Sequence, residues 1–534
     1  MTNQWARWLL PLIPALCAVL ASRGLLHYFQ LESYQFPGYF RTVSRNRVHA
    51  WLPGLCVTLL CVALYYLFDL LAITGGWNEL ACALALLAIA GVGGWLIAGR
   101  FAEKHAKKKF VYTGRVKRLY AVLVIVTVGL SLLLAQSPLA ILPALWPLLL
   151  PVVVALAGLL AWPIEKLISE FYFRDARRKL LANPALIRIG ITGSYGKTSV
   201  KHILGTILAE KYPTLITPAS FNTPMGVSRA IREKLTPSYQ AFIGEMGARH
   251  VGDIQEMCRL VRPTLGVITS VGPQHLDTFK TIERITKTKY ELIDALPEDG
   301  HAFFVDDGAI CRAMYERTSK PKSIASLRGG DADVWSENVT VSAQGSAFTL
   351  HVRGKGSVEC VTKLLGEHSI QNILLAASVA DYLGLSLKQI AHGVAKLEPV
   401  KARLELIAQP NSFTIINDAF NSNPIGSKAA LGVLRQFPKR RIIITPGMVE
   451  LGEREAEYNR ELGKAIADAV DVAIIVGQKR AQPILDGLRE AGFPMENAHR
   501  VDSLADSTAL LSTIARQGDT VLYENDLPDN YQEA

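Results

Sequence analysis

Apolar residues along this chain follow two patterns, which change over near Pro163. Before it they run in long blocks, at residues 8–21, 52–73, 80–98, 119–135 and 141–162. A helix that spans a bilayer takes roughly 20 mainly apolar residues. The second, third and fifth blocks meet that length, and the fourth only just does. The first is short and interrupted by Pro11 and Pro14, so it reads as a span or as an interfacial segment. It does not read as a cleaved leader, because no small-residue cleavage pattern follows it and more apolar blocks do.

After Pro163 the apolar runs become short and alternate with helical stretches. "LIRIGIT", "AFIGEMG", "LGVITSVG" and "HAFFVDD" read as buried strands of a parallel sheet covered by helices on both faces. "NVTVSAQGSAFTLHVRG" alternates residue by residue, as antiparallel hairpin strands do, and predicts a small β subdomain. A second series begins near Leu397, with "FTIINDAF", "RRIIITPGM", "VAIIVG" and "TVLYEND". The fold class is therefore α/β behind transmembrane helices. A membrane region over 1–165 with about five spans is expected, then a central domain over 175–395 and a Rossmann-like domain over 396–534.

Charge orients the first region. The loop "RFAEKHAKKKFVYTGRVKR" (100–118) and the loop carrying Arg41, Arg45 and Arg47 are basic, whereas "TGGWNE" and "QSP" carry no positive charge. Basic loops stay on the cytoplasmic side, which places the N-terminus outside and everything after Trp162 in the cytoplasm. The expectation is a multi-pass protein of the cytoplasmic membrane, in contact with membrane lipids. The formal net charge of +10 is largely accounted for in this way, and no nucleic-acid partner is expected. The seven cysteines form no CxxC pair, so neither a zinc site nor a disulfide framework is indicated.

The chemistry centres on "GITGSYGKTSV" (190–200). A strand runs into a loop holding Gly193 and Gly196, and a helix follows. Glycines let the loop curl so that its N–H groups face phosphate oxygens. Lys197 is then placed to reach the β/γ-phosphates of ATP, and the Thr198 hydroxyl, next to Ser199, to reach Mg²⁺. Glu245 ends a neighbouring strand, where a carboxylate can share that Mg²⁺.

The spacing GxxGKTS is shorter than the usual Walker loop and resembles that of the Mur ligase family. The resemblance continues in order through "IGEMGARHVGDI", "RPTLGVITSVGPQHLDTF", "TKTKYEL", "LLGEHSIQNILLAASVA" and "NDAFNSNPIGSKAAL", all similar to segments of its MurF branch. It implies an ATP- and Mg²⁺-dependent ligase that phosphorylates a carboxylate and lets an amine attack the acyl phosphate. The implied partners are a carboxylate-bearing envelope precursor and an amino acid or dipeptide.

The resemblance also implies roles for single residues. His275 and Lys289, the latter as a carbamate, would bind a second Mg²⁺, with Lys197, His275 and Lys289 forming the catalytic set. Asn372 would meet the base, Asp418 the ribose side and Arg403 the phosphates. Asn222 and Thr223 would meet substrate. Two departures stand out. Membrane spans replace the family's uridine-binding domain, and "VLYENDLPDNY" stands where "KGS" is expected. A poly-γ-glutamate synthase-like ligase is the rival within the same chemistry. A transport ATPase is disfavoured because Asp69 is almost the only ionisable residue in the spans. A non-catalytic scaffold has no reason to keep Lys197, Thr198, Glu245, His275 and Lys289 together.

Overall fold

A computed structural model describes residues 8–73, 78–101, 109–139, 141–218, 221–408, 413–420 and 422–527. Much of the basic loop 100–118, most of "TGGWNE" and the end of "VLYENDLPDNY" lie outside these residues. The chain forms two compact units, residues 1–170 and 171–527.

The first unit is helical. The first apolar block becomes the helix Leu12–Ala21, which is followed by Arg23–Leu31 at a bend of 44°. Four longer helices are long and apolar enough to cross a membrane: 47–71, 79–100, 114–134 and 142–181, and the bent pair makes up to five. Asn78 and Thr113 cap the starts of the second and third by accepting N–H bonds from Leu80 (3.0 Å) and Val116 (3.3 Å). Where the sequence reading ends the last block at Trp162, the helix Leu150–Leu181 runs on through Pro163. Among the described residues its one buried carboxylate, Glu165, is held by Arg118 at 2.5 and 2.9 Å.

The second unit holds two sheets. The larger contains β1 (Ile187–Thr192), β2 (Thr214–Ile216), β3 (Ala241–Glu245), β4 (Leu265–Ile268), β5 (His301–Val305), β6 (Lys322–Ser326), β7 (Val334–Ser342), β8 (Gly345–Val352) and β9 (Gly356–Thr362). Its order is β2-β3-β1-β4-β5-β6-β7-β8-β9. The parallel strands read as apolar runs because both faces are covered, with Phe242, Phe303 and Phe304 fully buried. The hairpins β7–β9 do not form a separate subdomain sheet as expected. β7 pairs in parallel with β6 and extends the central sheet as an antiparallel edge.

The smaller sheet contains β10 (Glu405–Ala408), β11 (Thr414–Asp418), β12 (Arg441–Thr445), β13 (Val472–Val476), β14 (Ala498–Val501) and β15 (Thr520–Glu524). Its order is β10-β11-β15-β12-β13-β14, parallel except for β10. In open α/β sheets ligands collect at the carboxyl ends of the strands. The candidate residues follow the ends of β1, β3, β4, β11 and β12.

Candidate active site

The loop after β1 needs its glycines. Gly193 and Gly196 have φ of +153° and +77°, a region that L side chains rarely adopt. A Cβ on Gly193 would lie 2.0 Å from Thr269 Oγ1, and one on Gly196 would lie 2.8 Å from Asn372 Oδ1. Asn372, on the helix Glu367–Tyr382, therefore sits directly against the loop. Gly196 caps the helix Lys197–Leu208, whose first turn holds Thr198 and Ser199. Lys197 folds back over the loop and donates to the carbonyls of Gly193 (2.7 Å) and Ser194 (2.9 Å). Burial lowers its ammonium to about 8, against the pull of Glu245.

Glu245 at the end of β3 is the hub of the loop. Its Oε2 accepts from Lys201 Nζ at 2.9 Å, a pair only 0% and 1% exposed. Its Oε1 accepts from Thr198 Oγ1 (3.1 Å) and Asn222 Nδ2 (3.3 Å). Burial alone pushes the carboxyl up, but Lys201, Lys197 and these bonds hold it below its ordinary range, so it stays ionised. Thr198 and Glu245 thus offer two hard oxygen donors side by side, the sparse protein contribution that Mg²⁺ accepts when phosphates and water complete its shell. The site fits Mg²⁺ in that limited sense. Among the described residues no cluster of three His, Cys, Asp or Glu is placed to hold a metal. Thr223, expected to meet substrate, caps the helix Pro224–Lys234 by accepting from Gly226 N at 3.3 Å.

His275 and Lys289 form a second cluster. Lys289 is 2% exposed, whereas Lys287, two positions away on the helix Ile282–Asp294, faces solvent. Burial and the charge of Lys197 hold the Lys289 amine well below the ordinary lysine range. A neutral amine is the form that adds CO₂. Without that addition Lys289 does not fit beside a cation, so its expected metal role holds only for the carbamate.

His275 Nδ1 bonds the carboxylate of Glu450, on the loop after β12. Glu450 is also paired with Arg249 Nη2 at 3.3 Å. Burial lowers His275 while Glu450 raises it, and the net is a depressed, neutral imidazole.

Arg403 connects the two sheets. Its Nη2 donates to Thr198 Oγ1 at 3.2 Å, and its guanidinium lies 4.5 Å from the ring centre of Phe420. Asp418 ends β11 and accepts from Leu404 N at 3.1 Å. Its neighbour in register is Glu524, the residue at the site of the missing "KGS". Burial and this second carboxyl group raise Glu524 well above its ordinary range, and burial raises Asp418 to about 6. Both carboxyls are thus pushed toward their protonated forms.

The structure thus groups Gly193, Gly196, Lys197, Thr198, Ser199, Glu245, Asn372 and Arg403 around the loop, with His275 and Lys289 alongside and Asp418 behind Arg403. Sequence reasoning missed Lys201, Arg249, Glu450 and Glu524. Only Lys201 had a local signal, a lysine four positions after Lys197 on an otherwise apolar helix face.

Comparison with known proteins decides the family. The sequence profile of the Mur ligase middle domain matches residues 191–380, and that of the Mur ligase glutamate ligase domain matches residues 402–523. The UDP-N-acetylmuramoyl-tripeptide--D-alanyl-D-alanine ligase of Escherichia coli (strain K12) is 30% identical over 371 residues, covering 68% of this chain and 80% of that protein. The chain belongs to the Mur ligase family.

As a Mur ligase it is an ATP-dependent enzyme. Similar solved structures agree in fold. MurF from Acinetobacter baumannii superposes with TM-score 0.61 at 27% identity, over 67% of this chain and 77% of that one. The MurF ligase of Thermotoga maritima, solved in complex with ADP, gives 0.60 at 24% identity, over 67% and 80%. Residues 1–190 precede both profile matches, so the helical unit of 1–170 stands apart from the Mur ligase segments.

Proposed function

We propose that this Mur ligase is a membrane-anchored, cytoplasm-facing enzyme that joins an amine to a carboxylate on a cell-envelope precursor through an acyl phosphate. The substrate class is that of the MurF relatives, a muramoyl tripeptide and a D-alanyl-D-alanine-type dipeptide. The observation that carries this reading is the assembly of Lys197, Thr198 and Glu245 around a glycine loop, with Arg403 reaching Thr198 from the second sheet.

In this reading the precursor carboxylate attacks the γ-phosphorus, ADP leaves, and the amine then displaces phosphate from the acyl carbon and loses a proton. Lys197 and Arg403 bear on the negative charge that spreads over the transferring phosphoryl group. Thr198 and Glu245 would hold Mg²⁺, which would supply further charge neutralisation when bound. Lys201 keeps Glu245 ionised and aimed. Lys289, buried and neutral, is suited to form the carbamate that would serve a second cation beside His275. Asn372 lies where the nucleotide meets the loop.

Membrane anchoring rests on the four or five apolar helices and on their outward faces. Only 28% of the most apolar window is buried in each of three of them, and Leu59, Tyr66, Ile89, Trp95 and Ile125 are exposed. In this reading the acid is presented at the membrane surface.

The test is ligation by the purified full-length protein in nanodiscs, given ATP, Mg²⁺, UDP-N-acetylmuramoyl-tripeptide and D-alanyl-D-alanine. Stoichiometric ADP and an amide product by mass spectrometry are expected. Amide formed from glutamate alone would move the assignment to the poly-γ-glutamate class. ATP hydrolysis without any amide would remove the ligase reading.

A further inference from the structure

The bond between His275 and Glu450 joins residues 175 positions apart, carried by different sheets. His275 follows β4 and Glu450 follows β12. Both stand in the left-handed region, with φ of +53° and +64°, a strained conformation for a non-glycine residue. Such conformations persist where the surroundings over-determine them, and here each supports the other. Arg249 Nη2 holds the second oxygen of Glu450 at 3.3 Å, and Asp277 N donates to the Glu450 carbonyl at 3.4 Å. Gly452 lies directly over the backbone of Leu276 and Asp277, where a Cβ would come within 3.5 Å of Asp277 N. His275 is 16% exposed and Glu450 8%, so the imidazole retains an open edge while its carboxylate partner is covered.

We propose that Glu450 is a positioning residue for His275, a carboxylate delivered by the C-terminal sheet that fixes the imidazole of the central sheet by its Nδ1 and leaves Nε2 for the reaction. His275 gains this partner from the C-terminal sheet, whereas Glu245 of the phosphate loop finds Lys201, Thr198 and Asn222 within the central domain. The inference rests on the reading of His275 as a site residue. A metal-facing histidine characteristically gives its other nitrogen to a carboxylate, and loss of that partner typically costs 10–100-fold in activity or affinity.

The experiment uses full-length protein labelled with ¹⁵N-histidine, wild type against Glu450→Gln and Glu450→Ala, with His275→Gln to assign the signal. In wild type, His275 is expected as the Nδ1–H tautomer. In Glu450→Ala that preference is lost, and kcat for ligation falls about 10–100-fold while KM for ATP stays within twofold. Glu450→Gln, which keeps an acceptor of the same shape, recovers the tautomer and part of kcat. An unchanged His275 spectrum in Glu450→Ala overturns the proposal, as does an unchanged kcat. If wild type makes no amide from the substrates tested, the functional reading fails, and the tautomer still decides the positional claim. A variant that melts early but keeps the wild-type His275 signal would show Glu450 to be a structural contact only, which also overturns it.

Discussion

Two buried carboxylates serve this site in opposite ways. Glu245 is satisfied inside one sheet by Lys201, Thr198 and Asn222, residues that all lie within about one helix and one loop of the same domain. Glu450 is bonded across the two sheets, by Arg249 and His275. In the proposed function the first arrangement is a phosphate and cation seat formed before any substrate arrives. The second makes His275, the proposed site histidine, depend on a carboxylate from the C-terminal sheet. A ligase benefits from that division, because ATP can bind early while acyl transfer waits for a closed, water-poor site.

The comparison breaks most visibly at Lys201. Lys201→Met leaves Glu245 buried without its cation, and removing one partner of such a pair costs roughly 3–5 kcal/mol. Chemical denaturation should show that loss, and Lys201→Met with Glu245→Gln should recover much of it. Glu450→Gln, whose partner Arg249 is 57% exposed, should change stability by no more than about 1 kcal/mol. Equal losses at both sites would erase the distinction.

Lys197→Ala comes next. Loss of one preorganised electrostatic contact to a developing charge costs on the order of 10²–10³ in kcat, and single-turnover ligation is the readout. Lys197 also bonds the loop carbonyls, so the melting temperature should fall slightly. On the other side of the site, Lys289→Ala should lower ligation by about 10–100-fold with no rescue by bicarbonate. Lys287→Ala, altered on the solvent face, should stay near wild type. The reverse result would place the reactive lysine two residues away.

A pH series separates the halves further. Burial lowers Lys197 to about 8, and in the proposed function a bound ATP phosphate would favour its charged form. ATP affinity should therefore fall as pH rises above about 8, with proton uptake on binding detectable by calorimetry in two buffers. The smallest effect is expected at Glu524. Asp418 is raised to about 6 from 3.8, so the folded state holds a proton that the unfolded chain has released. That contribution is present at acid pH and lost as pH rises toward about 6. Glu524→Gln should flatten this part of the stability profile relative to wild type.

What could be read in the sequence was local. The glycine loop, the strand-end Glu245 and the lysine pair 287/289 were legible because spacing along one strand or helix fixes their relation. The alternation of β7–β9 announced hairpins, but not that β7 would join β6, because strand neighbours are a property of the whole sheet. Glu450 and Glu524 were illegible for the same reason. Each acquires meaning from a partner more than a hundred residues away, Glu450 across a domain contact and Glu524 through parallel register with Asp418. Pro163 misled in the opposite direction, marking a change of composition but not the end of a helix.

The central claim is that ATP is spent here on activating a carboxylate. Supplying the muramoyl tripeptide with ¹⁸O in its terminal carboxylate, together with ATP and D-alanyl-D-alanine, tests it directly through the mass of the released phosphate. One ¹⁸O atom in each phosphate, matched to one amide formed, is the predicted result. Unlabelled phosphate alongside a labelled, unreacted carboxylate would contradict it.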